Sequence, residues 1–227
     1  MLHIKKYKEE RKIKTMLRGF DFSYHNNNEI FEEGLEKGDF IIIKATEGRT
    51  YTDPKFVERA PRIKDGLGGF YHYARPDNNT ADKEVENFYN AIKPYLTDTM
   101  LTVLDWEGKA LNYSFDWALK FCQLLEEKTN RPCIIYASAS VVKKYGSQWK
   151  YWWTAHYYKC EDGCTHDNVE EVLTQYTSTP YDMDVFKGNK EDWLVLCGGK
   201  KEVATKVLAE WKENGKTYKV ICEGVGL

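Results

Sequence analysis

Short, nearly continuous apolar runs alternate in this chain with stretches where apolar residues return every three or four positions. The first kind predicts buried strands, the second amphipathic helices. Strands are expected at Arg18–Ser23 (RGFDFS), Asp39–Gly48 (DFIIIKATEG), Gly69–Ala74 (GFYHYA) and Met100–Leu104 (MLTVL). Four more are expected at Pro132–Ser138 (PCIIYAS), Tyr151–Tyr158 (YWWTAHYY), Val172–Tyr176 (VLTQY) and Asp182–Phe186 (DMDVF). Between them, Asn26–Asn28 should cap a helix over Glu29–Lys37 that Gly38 closes. Asp53-Pro54 should cap a second, reaching Lys64, with Pro61 bending or splitting it. Thr80–Ile92 reads as helix up to Pro94, Ser114–Lys128 as an amphipathic helix, and a short helix follows from Ser140. Strand and helix alternate through the first 140 residues, which predicts parallel strands with helical crossovers. Eight such strands close into a barrel, and the thin helical content late in the chain makes it irregular.

The ends read differently. Residues 1–17 are a charged extension without turn chemistry or apolar period, a frayed helix or disordered arm. Gly198-Gly199 marks a boundary, after which Val203, Val207, Leu208 and Trp211 predict a short helix ending near Asn214-Gly215. A strand-like YKVICEGV follows. The expected organisation is therefore 1–17 extension, 18–197 barrel, and 198–227 a short helix–strand appendage. Thirty residues are few for an independent core, so the appendage should pack on the barrel or on a partner chain, leaving a homo-oligomer open.

Charge and composition narrow the function. The net charge is −2, but residues 1–18 carry +5 and residues 198–227 carry +2, leaving −9 for residues 19–197. An acidic middle without a Lys/Arg stripe argues against nucleic acid. No apolar run is long enough to cross a bilayer, and the basic N-terminus lacks the apolar centre of a secretory signal. With 16 Tyr, 10 Phe and 7 Trp, this acidic domain has what a carbohydrate site needs: ring faces for sugar C–H surfaces and carboxylates for hydroxyls. The six cysteines have no framework spacing and are read as reduced. Cys160-x3-Cys164-x-His166 could hold a metal but lacks a second pair at zinc spacing, so neither metal nor cofactor is expected.

The chemistry gathers where strands end. Asp105 and Glu107 leave an apolar strand one residue apart, so they share a face with Cα atoms roughly 6–7 Å apart. Adjacent carboxyls are a common arrangement for acid/base catalysis, though alone they could simply be solvated. Asp21, Lys44, Tyr73, Tyr136, Tyr157 and Gln175 also sit at or near C-terminal strand ends, and Asp182 at a strand start. In a parallel barrel those ends form one mouth, the usual place for an active site. Tyr73, Tyr136, Trp153 and Tyr157 are candidate sugar-groove residues, each equally able to fill the core. Lys44 and Gln175 need a polar destination. His72 and His156 read as satisfied core or rim histidines.

In this order and spacing, GFDFSYHN, FIIIKATEG, YTDPKFVERAPRIKDGLGGFYHYARP, LTVLDWEG, PCIIYAS, WWTAHYY, TQYTS and YDMDVF resemble glycoside hydrolase family 25. These are the muramidases of phage endolysins and bacterial autolysins, and the resemblance covers about residues 18–188. It implies an irregular, flattened (β/α) TIM-like barrel of the α/β class. It implies cleavage of the β-1,4 bond between N-acetylmuramic acid and N-acetylglucosamine in peptidoglycan glycan strands. Glu107 matches the general acid. Asp105 matches the neighbouring carboxylate: nucleophile, stabiliser or helper of the substrate acetamido group. Asp21 and Asp182 match acids that shape the site. Glu107, crowded by Asp21, Asp105 and Asp182, should titrate above a free Glu. The chain departs from the family pattern at Asp184, where Asn is usual, at Thr174, where Trp often stands, and at Arg59, where Asn is common. The lack of a signal fits a phage lysin made in the host cytoplasm and acting on the wall after release. The appendage is similar, over a dozen residues, to short cell-wall-binding repeats. Two rival readings are a barrel that binds peptidoglycan without cutting it and a metal-dependent phosphodiesterase. The latter lacks the His and Arg expected around a phosphate.

Overall fold

The computed structural model describes residues 16–77, 79–157 and 169–199, and the backbone of 205–213 and 216–223. Strands β1 (Leu17–Phe22), β2 (Phe40–Glu47), β4 (Leu67–Tyr73), β5 (Met100–Asp105), β6 (Cys133–Ser138), β7 (Trp152–Ala155), β8 (Glu171–Thr177) and β9 (Met183–Phe186) form a closed ring. Its order is β1-β2-β4-β5-β6-β7-β8-β9, with β9 returning to β1. A two-residue strand that the sequence reading missed, β3 (Tyr51–Thr52), pairs antiparallel with the end of β2.

Seven strands run parallel, but β9 is antiparallel to both β8 and β1, which corrects the all-parallel expectation. The connection explains it. Only residues 178–182 join β8 to β9, whereas a parallel crossover takes a dozen or more residues. The start of β9 therefore lies at the same mouth as the C-terminal ends of the other strands.

Helices α1 (Asn28–Lys37), α2 (Phe56–Ile63), α3 (Ala81–Ile92), α4 (Asp116–Thr129) and α5 (Ala139–Tyr145) follow the first strands, as the periodicity predicts. Asn27 caps α1, its Oδ1 accepting from Ile30 N at 2.9 Å. α4 stops at Asn130, whose φ of 52° suits the left-handed tolerance of asparagine. α2 is not split by Pro61; the bond proline cannot make is to the carbonyl of Val57, on the exposed first turn. Nor does Asp53 cap α2, whose cap position is Lys55. Its carboxylate accepts from Tyr24 N and Lys55 N, both at 2.9 Å, tying the loop after β1 to the start of α2.

Strand alternation divides the core in two. Ile41, Ile43, Ala45, Met100, Leu104, Cys133 and Ile135 face outward beneath the helices. Phe40, Ile42, Leu101, Val103, Ile134, Trp153 and Leu173 fill the barrel. A helix absent from the sequence reading, α6 (Lys190–Leu196), closes the floor. Asn189 and Asp192 form a reciprocal capping box at its start. Its Trp193 ring lies 4.7 Å from Phe40 and 5.1 Å from Phe186, and the indole N–H donates to the Thr99 carbonyl at 2.9 Å. With the floor sealed by apolar packing, the opposite end is the one open to a ligand among the described residues.

Beyond residue 199 the expected helix is replaced by a strand. β10 (Thr205–Glu213) and β11 (Lys216–Glu223) pair antiparallel. Asn214-Gly215 between them is a strong hairpin signal, which outweighs the helical spacing of the four apolar residues. The arm at 1–15, Tyr158, and the Cys160, Cys164 and His166 triplet lie outside the described residues.

Candidate active site

At the open end, a cavity of about 190 Å³ is lined by Asp21, Tyr71, Asp105, Glu107, Tyr136, Trp153, Tyr157, Gln175 and Asp182. Strand alternation aims them inward. On β2, Phe40 and Ile42 pack the barrel and Lys44 follows on the same face; on β5, Leu101 and Val103 lead to Asp105. Beyond β5 the chain keeps alternating. Trp106 turns outward and stacks on Trp117 at 5.8 Å, which returns Glu107 to the mouth. The Trp106 N–H donates to the Tyr136 carbonyl at 2.9 Å, fixing this extension to the neighbouring strand. Gly108 then turns the chain with φ +56°, and a Cβ there would stand 2.5 Å from the Tyr73 hydroxyl.

Gln175 ties the opposite wall together. Its Nε2 donates to Asp21 Oδ2 at 2.7 Å, while its Oε1 accepts from the Tyr136 hydroxyl at 2.9 Å and the Tyr157 hydroxyl at 2.7 Å. One amide thus orients a carboxylate and two phenols. Lys44 finds its polar destination in Glu47, 2.7 Å away, with its ammonium 4.8 Å from the Tyr73 ring centre. Arg75 holds the other Glu47 oxygen at 2.7 Å. This cluster borders a second hollow of about 450 Å³ that Tyr24, Lys44, Glu47, Tyr51 and Arg75 help to line.

The carboxyls resist ionisation. Burial pushes Asp105 well above the usual Asp range, the Glu107 charge adds to it, and Lys44 opposes. Burial also raises Glu107; Lys44 counters this and Asp182 reinforces it. Asp21 is pushed well up by burial and then by Asp182, against the Gln175 hydrogen bond. Burial raises Asp182 too. Glu107 is thus raised as expected: burial leads, Asp182 adds to it, and the repulsion between Glu107 and both Asp105 and Asp21 is mutual. The phenols stay neutral donors: burial drives Tyr136 upward and Tyr73 up to about 12. Asp105 Oδ1 is buried with no donor among the described residues.

The cavity brings together eight of the ten residues picked from sequence: Asp21, Asp105, Glu107, Asp182, Tyr136, Trp153, Tyr157 and Gln175. Lys44 lines the adjoining hollow instead. Tyr73 lines neither; it is wedged between Lys44 and Gly108. Tyr71 was missed, although it shares the inward face of β4 with Tyr73 at a spacing of two. Asp182 faces the cavity, whereas Asp184 lies beneath it, fully buried, with Oδ1 accepting from Trp153 Nε1 at 2.9 Å. His72 is a satisfied core residue, bonded at 2.8 Å to both Thr46 Oγ1 and Glu84 Oε2.

Residues 20–185 match the profile of the glycosyl hydrolases family 25. The autolytic lysozyme of Clostridium acetobutylicum is 34% identical over 112 residues, 47% of this chain and 33% of that protein. YegX of Escherichia coli K12 is 27% identical over 180 residues, 72% of this chain and 64% of that protein. The matches thus span about a third and just under two thirds of these relatives' lengths. Among solved structures, a family GH25 lysozyme from Aspergillus fumigatus superposes with a TM-score of 0.65 at 25% identity, over 82% of this chain and all of that one.

Proposed function

From the premise that this chain belongs to glycosyl hydrolases family 25, we propose that it cleaves the β-1,4 bond between N-acetylmuramic acid and N-acetylglucosamine in peptidoglycan. The observation that carries this reading is the convergence of Asp21, Asp105, Glu107 and Asp182 in one small cavity walled by aromatic rings. The aromatic-rimmed second hollow gives a glycan strand room to continue past the carboxyls.

In this reading Glu107 is the general acid. It is the outermost of the acids and is already raised by burial, so a sugar that displaces water from it raises it further. Its proton passes to the glycosidic oxygen as the C1–O bond breaks, and positive charge builds at C1. Asp105 Oδ1, buried with no donor among the described residues, accepts a hydrogen bond from the substrate. A substrate donor there, the acetamido N–H being the nearest in kind, favours ionised Asp105 and moves the proton of the pair onto Glu107. Ionised Asp105 then stabilises the charge at C1, directly or through the acetamide, and water completes hydrolysis. Asp21 and Asp182 hold the sugar hydroxyls, and Tyr136, Trp153 and Tyr157 give it faces to stack on.

The catalytic unit is residues 18–197, with the hairpin at 205–223 as an appendage. The biological role proposed is that of a phage endolysin, made in the host cytoplasm and acting on the wall. No described helix is long and apolar enough to cross a membrane.

The test is digestion of purified peptidoglycan by wild type and Glu107→Gln, with products reduced and identified by mass. Muropeptides ending in reduced muramic acid from wild type alone are expected. Equal digestion by Glu107→Gln would remove Glu107 from its role. Binding to several wall types without any fragments would replace the hydrolase with a binding barrel.

A further inference from the structure

One buried acid is left over from this chemistry. Asp184 points inward from β9 below the cavity, opposite Gly19 of β1 and Gln175 of β8, with no exposed surface. Its Oδ1 takes the Trp153 indole N–H; Gly19, across from it on β1, has no side chain, so the next inward residue of that strand, Asp21, is its diagonal neighbour and bears on its charge. Oδ2 has no donor among the described residues. Two ionised carboxylates are acceptors only and cannot hydrogen-bond to one another, so a bond between these neighbours requires a proton on one of them.

We propose that Asp184 keeps that proton at neutral pH and donates it to Asp21, holding the Asp21 carboxylate ionised and aimed into the cavity. The surroundings of the two acids decide which carries the charge. Asp21 receives the Gln175 amide N–H at 2.7 Å and reaches the cavity, so its charge has donors and some solvent. Asp184 is sealed between β1, β8 and the Trp153 ring. The charges that act on it are Asp21 from β1 and Asp182 from its own strand, both negative; Trp153 of β7 and Gln175 of β8 are neutral. The cation of the mouth, Lys44, bears on Asp105 and Glu107 instead. Burial and those two negative charges accordingly push Asp184 well above the usual Asp range. The proton has no better place.

Asp184 is thus a positioning residue that acts as an amide would, with one difference. An asparagine donates at every pH, whereas a carboxyl donates only while protonated. Alkaline titration would set a second negative charge against Asp21 and turn the contact repulsive, giving the enzyme an alkaline limit built into its last strand.

Asp184→Asn and Asp184→Ala test this in two ways. Infrared difference spectra at neutral pH, recorded in a Glu107→Gln background to silence the catalytic acid, should show the carbonyl band of one protonated carboxyl lost on Asp184→Asn. An unchanged band would overturn the proposal. The second way rests on the hydrolase reading. Asp184→Ala should lower kcat about 10- to 100-fold with KM nearly constant, as expected for losing a hydrogen bond to a charged group. Asp184→Asn should restore kcat and move the alkaline limb to higher pH. Equal loss in both variants, or an unmoved limb, would overturn it. If the wild type itself digests no wall, the hydrolase reading fails while the infrared result still decides the proton.

Discussion

Replacing Gln175 by Leu removes three hydrogen bonds at once, and the structure says what each is worth. The bond to Asp21 Oδ2, at 2.7 Å, goes to a carboxylate and is worth about 1.5–3 kcal/mol. The Tyr136 hydroxyl is left facing a dry wall, at about 1–3 kcal/mol. Tyr157 is 39% exposed, so its hydroxyl turns to water at little cost. Burying the Leu side chain at a position 3% exposed returns about 1–2 kcal/mol. The net expectation is a loss of about 0.5–5 kcal/mol, centred near 3, read from urea unfolding followed by tryptophan fluorescence. Gln175→Glu makes a sharper companion. It keeps the acceptor for both phenols but sets a carboxyl oxygen where the amide nitrogen stood, against Asp21. The new acid folds easily only when protonated, so its folded pKa lies above its unfolded one. Relative to wild type, the variant should be nearly as stable at about pH 5 and lose stability toward about pH 8. A Leu variant less than about 0.5 kcal/mol weaker, or a Glu variant whose deficit is flat with pH, would refute the idea that this amide organises the wall.

Other expectations follow from the same cavity. Asp21, Asp105, Asp182 and Asp184 all have raised folded pKa values, so their contribution to stability is fullest below the free-Asp value of 3.8 and is lost as pH rises through the folded values. The wild-type melting temperature should therefore fall from about pH 5 to about pH 8, and fall less steeply in Asp184→Asn. Lys44→Met removes the cation that lowers both Asp105 and Glu107, so the whole pH–activity profile should move to higher pH; an unmoved profile would mean that Glu47 neutralises Lys44 entirely. Gly108→Ala forces a side chain into φ +56° and against the Tyr73 hydroxyl, for a loss of about 1–3 kcal/mol in denaturant titration and a fall in kcat as Glu107 is displaced.

Most of the barrel could be read from apolar periodicity because the first six barrel strands are short, largely buried apolar runs separated by five helices. What escaped was governed by connection length or by distant packing. The direction of β9 is set by five intervening residues, a count available in the sequence but not used. The seven-residue α6 carries too little periodicity to stand out; its reason for existing is the barrel floor, which only the closed ring defines. In the tail, Asn214-Gly215 favoured a hairpin over the helix that apolar spacing suggested. The carboxyl cluster was accessible because acids at the ends of apolar runs are unusual, and alternation carries them to one mouth. Tyr71 and the division of labour between Asp182 and Asp184 were harder. Both depend on depth along a shared face, and depth is a property of the assembled barrel.

The reversed last strand also governs when the protein becomes competent during synthesis. A nascent chain that ends before residue 183 has no β9, so β8 and β1 remain unpaired edges of an open sheet. The strand that seals the ring also seats Asp182 at the rim and Asp184 behind Asp21. Topological closure and completion of the acid cluster are therefore one event, reached only once β9 has been made. Chains that stop before β9 lack the complete acid cluster as well as the closed barrel, so the cluster exists only in the closed fold.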